Sequence, residues 1–182
     1  RSMTLPVGFE RCPDCGVELL KQEQDSLSHR YVGASPSCWV LFSNLVNADE
    51  PPLTPARLNS LIVDAYLAQH HGTPSPQAIQ SVAVHLLVLY GVLNQGLEPE
   101  RALWIRQRAL REMVRPKHSR FHWLTPPDFA GCLTIVNIVQ ASTPDARANK
   151  AREFIEQIWS LWADNHLATL SQWYAMYVVS EK

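Results

Sequence analysis

Val82-Ala83-Val84-His85-Leu86-Leu87-Val88-Leu89-Tyr90-Gly91-Val92-Leu93 sets the architecture of this chain. Only His85, Tyr90 and Gly91 interrupt an apolar run of helical length. A helix that is apolar on every side is buried on every side, so this segment is expected at the centre of a helical bundle. Ser75-Pro76 stands ahead of it and Gly96 behind it. A hydroxyl side chain accepts from the free N–H groups of a first turn, and proline at the first helical position gives up an N–H that has no partner there. A glycine just past the last turn takes the left-handed conformation that ends a helix. These signals predict a helix over 76–94.

The same hydroxyl–proline pair recurs at Ser35-Pro36, Thr54-Pro55, Thr125-Pro126 and Thr143-Pro144, and Glu98-Pro99 adds one more start. Thr125-Pro126-Pro127-Asp128 also approximates a capping box. Working outward, the starts predict helices over 36–47, 55–71 (stopped by Gly72), 99–114 and 126–141. The 99–114 helix reads as amphipathic, with Leu103, Ile105, Ala109, Leu110 and Met113 set against arginines. From 145 to 179 there is neither Pro nor Gly, which predicts one long helix or two with a soft break near Asp164-Asn165. Residues 21–34 and 115–124 read as loops. The expectation is an all-α bundle of about six helices with an N-terminal zinc knuckle. One domain would cover 3–182, with a knuckle segment at 8–40 packed on a helical body at 41–182.

Composition narrows the function classes. Sixteen basic and 17 acidic residues leave a formal charge of −1, so there is no electrostatic footprint for nucleic acid or an anionic membrane. No run approaches the roughly 18 uninterrupted apolar residues of a membrane helix. No basic segment followed by an apolar one marks a secretory signal, and four cysteines without a disulfide-like framework point to a reducing, cytoplasmic compartment.

The chemistry concentrates in Cys12-Pro13-Asp14-Cys15-Gly16. Two thiolates separated by two residues can face one tetrahedral zinc, because the intervening turn curls around the ion. Gly16 permits the positive-φ turn that this needs. A thioredoxin-type motif would require a βαβ setting that is missing here. Cys38, at a predicted helix N-terminus, is the natural third ligand, since that end of a helix favours a thiolate. His29 is favoured as the fourth, with His70, delivered from the end of the second helix, as the alternative. Cys132 reads as a core residue among Ala130, Leu133, Ile135 and Val136.

A second set of polar residues lies in the helical body. Val63, Tyr66, Leu67 and His70 share one helical stripe, while Asp64 and His71 share another. A buried imidazole without a partner is costly, so His85 must bond something: a carbonyl or carboxylate in a packed core, or a metal or substrate. Trp159, Trp162, His166 and Trp173 fall on one face of the last helix and read as core. His118 and His122 flank a basic loop and read as solvated. Asp64 and His70 come from the second predicted helix, His85 from the third and His166 from the last, and helical bundles build metal sites from facing helices in that way.

Taken together, several stretches resemble a bacterial family of uncharacterised proteins that carries a domain-of-unknown-function label. They are the Cys12–Gly16 knuckle, Tyr31-Val32-Gly33-Ala34-Ser35-Pro36-Ser37-Cys38-Trp39, Val63-Asp64-Ala65-Tyr66-Leu67-Ala68-Gln69-His70-His71-Gly72, Ser81-Val82-Ala83-Val84-His85-Leu86 and Trp123-Leu124-Thr125-Pro126-Pro127. The resemblance spans about 12–175. The family pattern places proline after the second-helix histidine, where this chain has His71. The resemblance implies a CPxCG metal site and a helical body, and no activity.

Two readings follow. In the first, the chain is a zinc-binding helical protein, a binding or accessory module whose zinc is structural and whose partner is a protein or a small molecule. In the alternative it is a metal-dependent enzyme, for hydrolysis or group transfer, with Asp64, His70, His85 and His166 around an open site. DNA binding through the knuckle is the weakest option, because Arg11 and Lys21 are offset by Glu10, Glu18 and Glu23.

Overall fold

The structure, a computed structural model, describes residues 7–22, 31–47, 54–111 and 120–180. A two-stranded antiparallel hairpin opens the fold, β1 (Phe9–Arg11) pairing with β2 (Glu18–Leu20). The rest is helical: α1 (Pro36–Val46), α2 (Ala56–Gln69), α3 (Pro76–Leu89), α4 (Ala102–Leu110), α5 (Ile135–Val139) and α6 (Pro144–Trp173). α3 runs on into a π-helical turn over Tyr90–Asn94, and α6 into another over Tyr174–Val179. The all-α expectation holds, with the hairpin as its small β exception.

α3 is the central helix that its composition predicts. It packs against α2, α4 and α6, and α2 also packs against α6. Val82, Leu86, Leu87, Val88 and Leu89 are buried. By length and composition Pro76–Asn94 would suffice to cross a bilayer, but its apolar sides are largely covered by the neighbouring helices. Trp162 of α6 is fully buried and donates its indole N–H to the Ala68 carbonyl at 3.1 Å, which fixes α6 against α2.

Three of the predicted starts are caps. Ser35 Oγ accepts from Cys38 N, Ser75 Oγ from Ala78 N and Thr143 Oγ1 from Ala146 N, each followed by proline at the first helical position. Thr54 is not a cap: α2 begins at Ala56, Pro55 occupies the cap position, and the Thr54 hydroxyl bonds Asn59 Oδ1. Thr125 is not a cap either. Pro127 disfavours helical backbone at the residue before it, so no helix starts at Pro126. Asp128 instead accepts from Ala130 N at 2.9 Å. The helix waits until Ile135, where Thr134 and Asn137 form a reciprocal capping box. The helix predicted over 126–141 is therefore the five-residue α5, and Cys132 lies half-buried in the turn before it.

α4 follows a short 3₁₀ turn at Pro99–Arg101 and buries Ala102, Ile105 and Ala109. Of the predicted apolar stripe Ile105 and Ala109 are buried whereas Leu103 and Leu110 are exposed, and Met113 and His118 lie outside the described residues. The long final helix is continuous, with no break at Asp164-Asn165.

Candidate metal centre

The hairpin presents the knuckle. Arg11 and Glu18 pair at 2.5 Å where the strands end, and the chain then folds back on itself. Cys12 N donates to the Val17 carbonyl at 2.8 Å and Gly16 N to the Cys12 carbonyl at 2.9 Å. Gly16 takes φ +77°, the turn its position predicts. This curl brings the Cys12 and Cys15 sulfurs to the same side. Cys38 enters from the first turn of α1, its N–H held by Ser35 Oγ at 3.2 Å. His70 enters from the residue that caps the C-terminus of α2.

The four ligand atoms of Cys12, Cys15, Cys38 and His70 lie within 4.8 Å of one another, a group able to hold a metal ion. Cys15 Sγ is 3.9 Å from Cys38 Sγ, and Cys38 Sγ is 3.5 Å from His70 Nε2. Cys12, Cys38 and His70 are buried and Cys15 is half-buried. Of the two histidines weighed for the fourth place, His70 stands in the group, while His29 lies outside the described residues.

An outer layer orients this group. The Tyr66 carbonyl can only accept, so His70 Nδ1 donates to it at 2.8 Å, which leaves Nε2 facing the sulfurs. Tyr66 hydroxyl lies 3.3 Å from Cys38 Sγ and is the donor to a thiolate there. Ser35 N–H reaches Cys12 Sγ at 3.4 Å. Phe42, Tyr66 and His70 stack with centroids 3.8 and 3.9 Å apart. Burial, and then the Cys38 sulfur, hold the Tyr66 hydroxyl in its protonated form. From the sequence Tyr66 reads as part of an apolar stripe and as a lining residue of the alternative histidine/aspartate site, not as a neighbour of the cysteines. Its place four residues before His70, on the same face, is the signal that it could also touch the centre.

The electrostatics favour a cation. Hydrogen bonds from Cys15 and Cys38 push the Cys12 thiol well down, whereas bonding to Cys12 and Cys15, together with burial, pushes Cys38 well up. The Cys12 thiol thus ionises ahead of Cys38, and ionising both needs a compensating positive charge. Burial opposes protonation of His70, but the neighbouring Cys12 and Cys15 sulfurs outweigh it and lift the ring to about 9.

Asp14, between the two knuckle cysteines, fastens the knuckle to the body. Its Oδ2 accepts from Gly72 N at 2.8 Å, and its own N–H donates to the Gly33 carbonyl at 3.2 Å. Gly33 N in turn donates to the His70 carbonyl at 3.2 Å. Burial raises the Asp14 carboxyl, and the Gly72 N–H works against that rise.

Knuckle, Cys38 segment and second-helix motif thus meet in one place, and a single family model matches residues 10–163, which contain all of them. The chain belongs to DUF5946, a family of unknown function. No curated protein and no solved structure matches it.

In this DUF5946 chain the histidines and aspartate of the helical body do not share a site. Asp64 is fully buried, accepting from His85 Nδ1 at 2.6 Å and from Arg106 through Nε at 3.2 Å and Nη2 at 2.7 Å. Arg106 Nη2 also holds the Ser60 hydroxyl at 3.0 Å. This is a clasp joining α2, α3 and α4, and nothing in the spacing of the sequence pointed to Arg106. His70 belongs to the cysteine group. His166 is half-buried and bonds the Thr125 carbonyl at 2.7 Å. The four-residue site of Asp64, His70, His85 and His166 is therefore not formed: each histidine finds a different partner on a different element. His71 sits among Trp123, Phe129 and Trp162, and donates to the Gly72 carbonyl at 2.7 Å. His122 is exposed, as its loop position suggested. At the knuckle, Arg11 is engaged by Glu18, and Glu10 accepts from Ser37 N at 3.0 Å.

Proposed function

We propose that Cys12, Cys15, Cys38 and His70 hold one structural zinc ion, and that the protein acts as a binding or accessory module rather than through the metal. The observation that carries this is the donor set and its spacing. With zinc bonds of about 2.3 Å to sulfur and about 2.0 Å to nitrogen, a tetrahedron has edges of about 3.8 Å between sulfurs and about 3.5 Å between sulfur and nitrogen. The Cys15–Cys38 and Cys38–His70 separations are 3.9 and 3.5 Å. Three thiolates and one imidazole fill all four positions and leave none for a substrate, which is the mark of a structural site. Such a site would also tie the knuckle segment (8–40) and the helical body (41–182) into one unit, in the cytoplasm, where thiols stay reduced.

The test is metal content per chain by elemental mass spectrometry. One zinc in the wild type and none in Cys12→Ser/Cys15→Ser is expected. No metal in protein purified without chelator would overturn the proposal, and metal retained by the folded double variant would place a second site in the body.

A further inference from the structure

Resting on the zinc reading, we propose that Cys15 is a peroxide-reactive thiolate, and that its oxidation joins it to Cys38 and releases the metal. Two independent observations single out Cys15. It is the half-buried member of the group, whereas Cys12, Cys38 and His70 are buried. It is also the sulfur with the fewest N–H or O–H donors among the described contacts: the His70 ring lies beside all three, but Cys12 Sγ also receives Ser35 N–H and Cys38 Sγ also lies against the Tyr66 hydroxyl. A hydrogen-bond donor withdraws charge from a thiolate and blunts its attack, so the sulfur with the fewest donors is the better nucleophile, and its partial exposure lets an oxidant reach it. Cys38 Sγ waits 3.9 Å away as the resolving thiolate.

The chemistry balances with hydrogen peroxide as the oxidant. Cys15 sulfur attacks one peroxide oxygen, the O–O bond breaks, and hydroxide leaves to become water on taking a proton, giving the Cys15 sulfenic acid. Cys38 thiolate then attacks that sulfur. The S–S bond forms, the S–O bond breaks, and the departing hydroxide becomes a second water. Two electrons pass from the two thiolates to one peroxide, and two protons are consumed. Cys12 and His70 remain, and two ligands cannot keep a four-coordinate ion. The knuckle itself stays docked through Asp14, Gly33 and Gly72, whose hydrogen bonds do not involve the metal.

The experiment uses the full chain with Cys132→Ser, so that Cys12, Cys15 and Cys38 are its only thiols. Zinc content is measured first by elemental analysis. Hydrogen peroxide is then titrated in while a chromophoric chelator reads metal release and non-reducing peptide mapping reads the linkage. Release of the bound zinc with a Cys15–Cys38 link is expected. A Cys15→His variant keeps four ligands, and its release is expected to slow by at least about tenfold. A Cys12–Cys15 link, zinc retained after oxidation, or undiminished release from Cys15→His would each overturn the proposal. A chain without zinc at the outset would instead sink the zinc reading, and the mapped linkage would still decide which sulfurs pair.

Discussion

Replacing Gly33 with alanine should cost stability through one contact, and the contact is specific enough to be switched off. A Cβ on Gly33 would sit 1.8 Å from Asp14 Oδ2 and 2.4 Å from its Cγ, so the carboxylate must move. It has little freedom to do so, because Oδ2 accepts from Gly72 N at 2.8 Å and the side chain is only 15% exposed. The backbone cannot slide away either, since Gly33 O and N are bonded to Asp14 N and to the His70 carbonyl. The carboxylate therefore leaves, and Gly72 loses its acceptor. A hydrogen bond to a charged group contributes about 1.5–3 kcal/mol, and we expect Gly33→Ala to lower the unfolding free energy by that amount. The assay is denaturant unfolding, read as a shift in midpoint at unchanged slope. The decisive arm is the Asp14→Ala background. Gly33 does not have positive φ, so alanine fits its backbone, and without the carboxylate in the way it should be neutral or stabilising by about 0.4–1 kcal/mol through the unfolded chain. A change of sign between the two backgrounds is the expected result. Equal costs in both would show that Asp14 is not what Gly33 accommodates, and the account of knuckle docking would fail.

Four further outcomes follow from the same contacts. Tyr66→Phe keeps the stack with Phe42 but removes the hydroxyl beside Cys38 Sγ, and should weaken zinc binding by about 10-fold or more in a chelator competition. Removing the metal with a strong chelator should lower the melting temperature of the wild type and leave Cys12→Ser/Cys15→Ser unmoved; equal melting curves with and without chelator would contradict a structural role. Arg106→Met leaves Asp64 buried without its guanidinium and should destabilise by about 3 kcal/mol, most of it recovered in Asp64→Leu/Arg106→Met, as measured by equilibrium unfolding. Thr143→Ala should cost about 1 kcal/mol as a lost cap while Thr125→Ala costs almost nothing, and comparable losses would refute the distinction between the two proline-preceding threonines.

That last pair shows where local sequence signals succeed and where they stop. Ser35, Ser75 and Thr143 cap helices with one proline after them, whereas Thr54, with the same signal, lies one residue before the cap position and bonds Asn59 instead. Thr125 carries the same signal but is followed by two prolines, and the second outweighs the cap. α3 was legible because an all-apolar helix has one stable location, whereas the buried side of α4 was not. Its core contacts come from Ala102, Ile105 and Ala109, spaced on one helical face, while Leu103 and Leu110 fall on another face and are exposed. Hydrophobicity alone ranks Leu103 and Leu110 above Ala102 and Ala109, and it does not say which face meets the neighbouring helix.

The metal group divides in the same manner. Cys12 and Cys15 are fixed by a five-residue pattern, and Cys38 by its place in a first helical turn, so all three were readable as members of this group. The choice of histidine was not, because it depends on where α2 ends relative to the knuckle. Sequence proximity favoured His29, between the knuckle and Cys38. His29 lies outside the described residues; among those described, the C-terminus of α2 comes down onto the knuckle, and the triplet His70-His71-Gly72 divides its tasks there. His70 turns Nε2 to the sulfurs, His71 enters the ring cluster of Trp123, Phe129 and Trp162, and Gly72 offers its N–H to Asp14. Gly72 was read as a helix stop, and it is one in conformation, at φ +68°. It is also a position where a Cβ would meet the Tyr31 carbonyl at 2.2 Å, so glycine is required by the segment leading to Cys38 as well as by the turn. A residue chosen for two reasons at once shows only the local one in a sequence. The second reason, contact with a segment some 40 residues away, is the one that brings His70 to the cysteines.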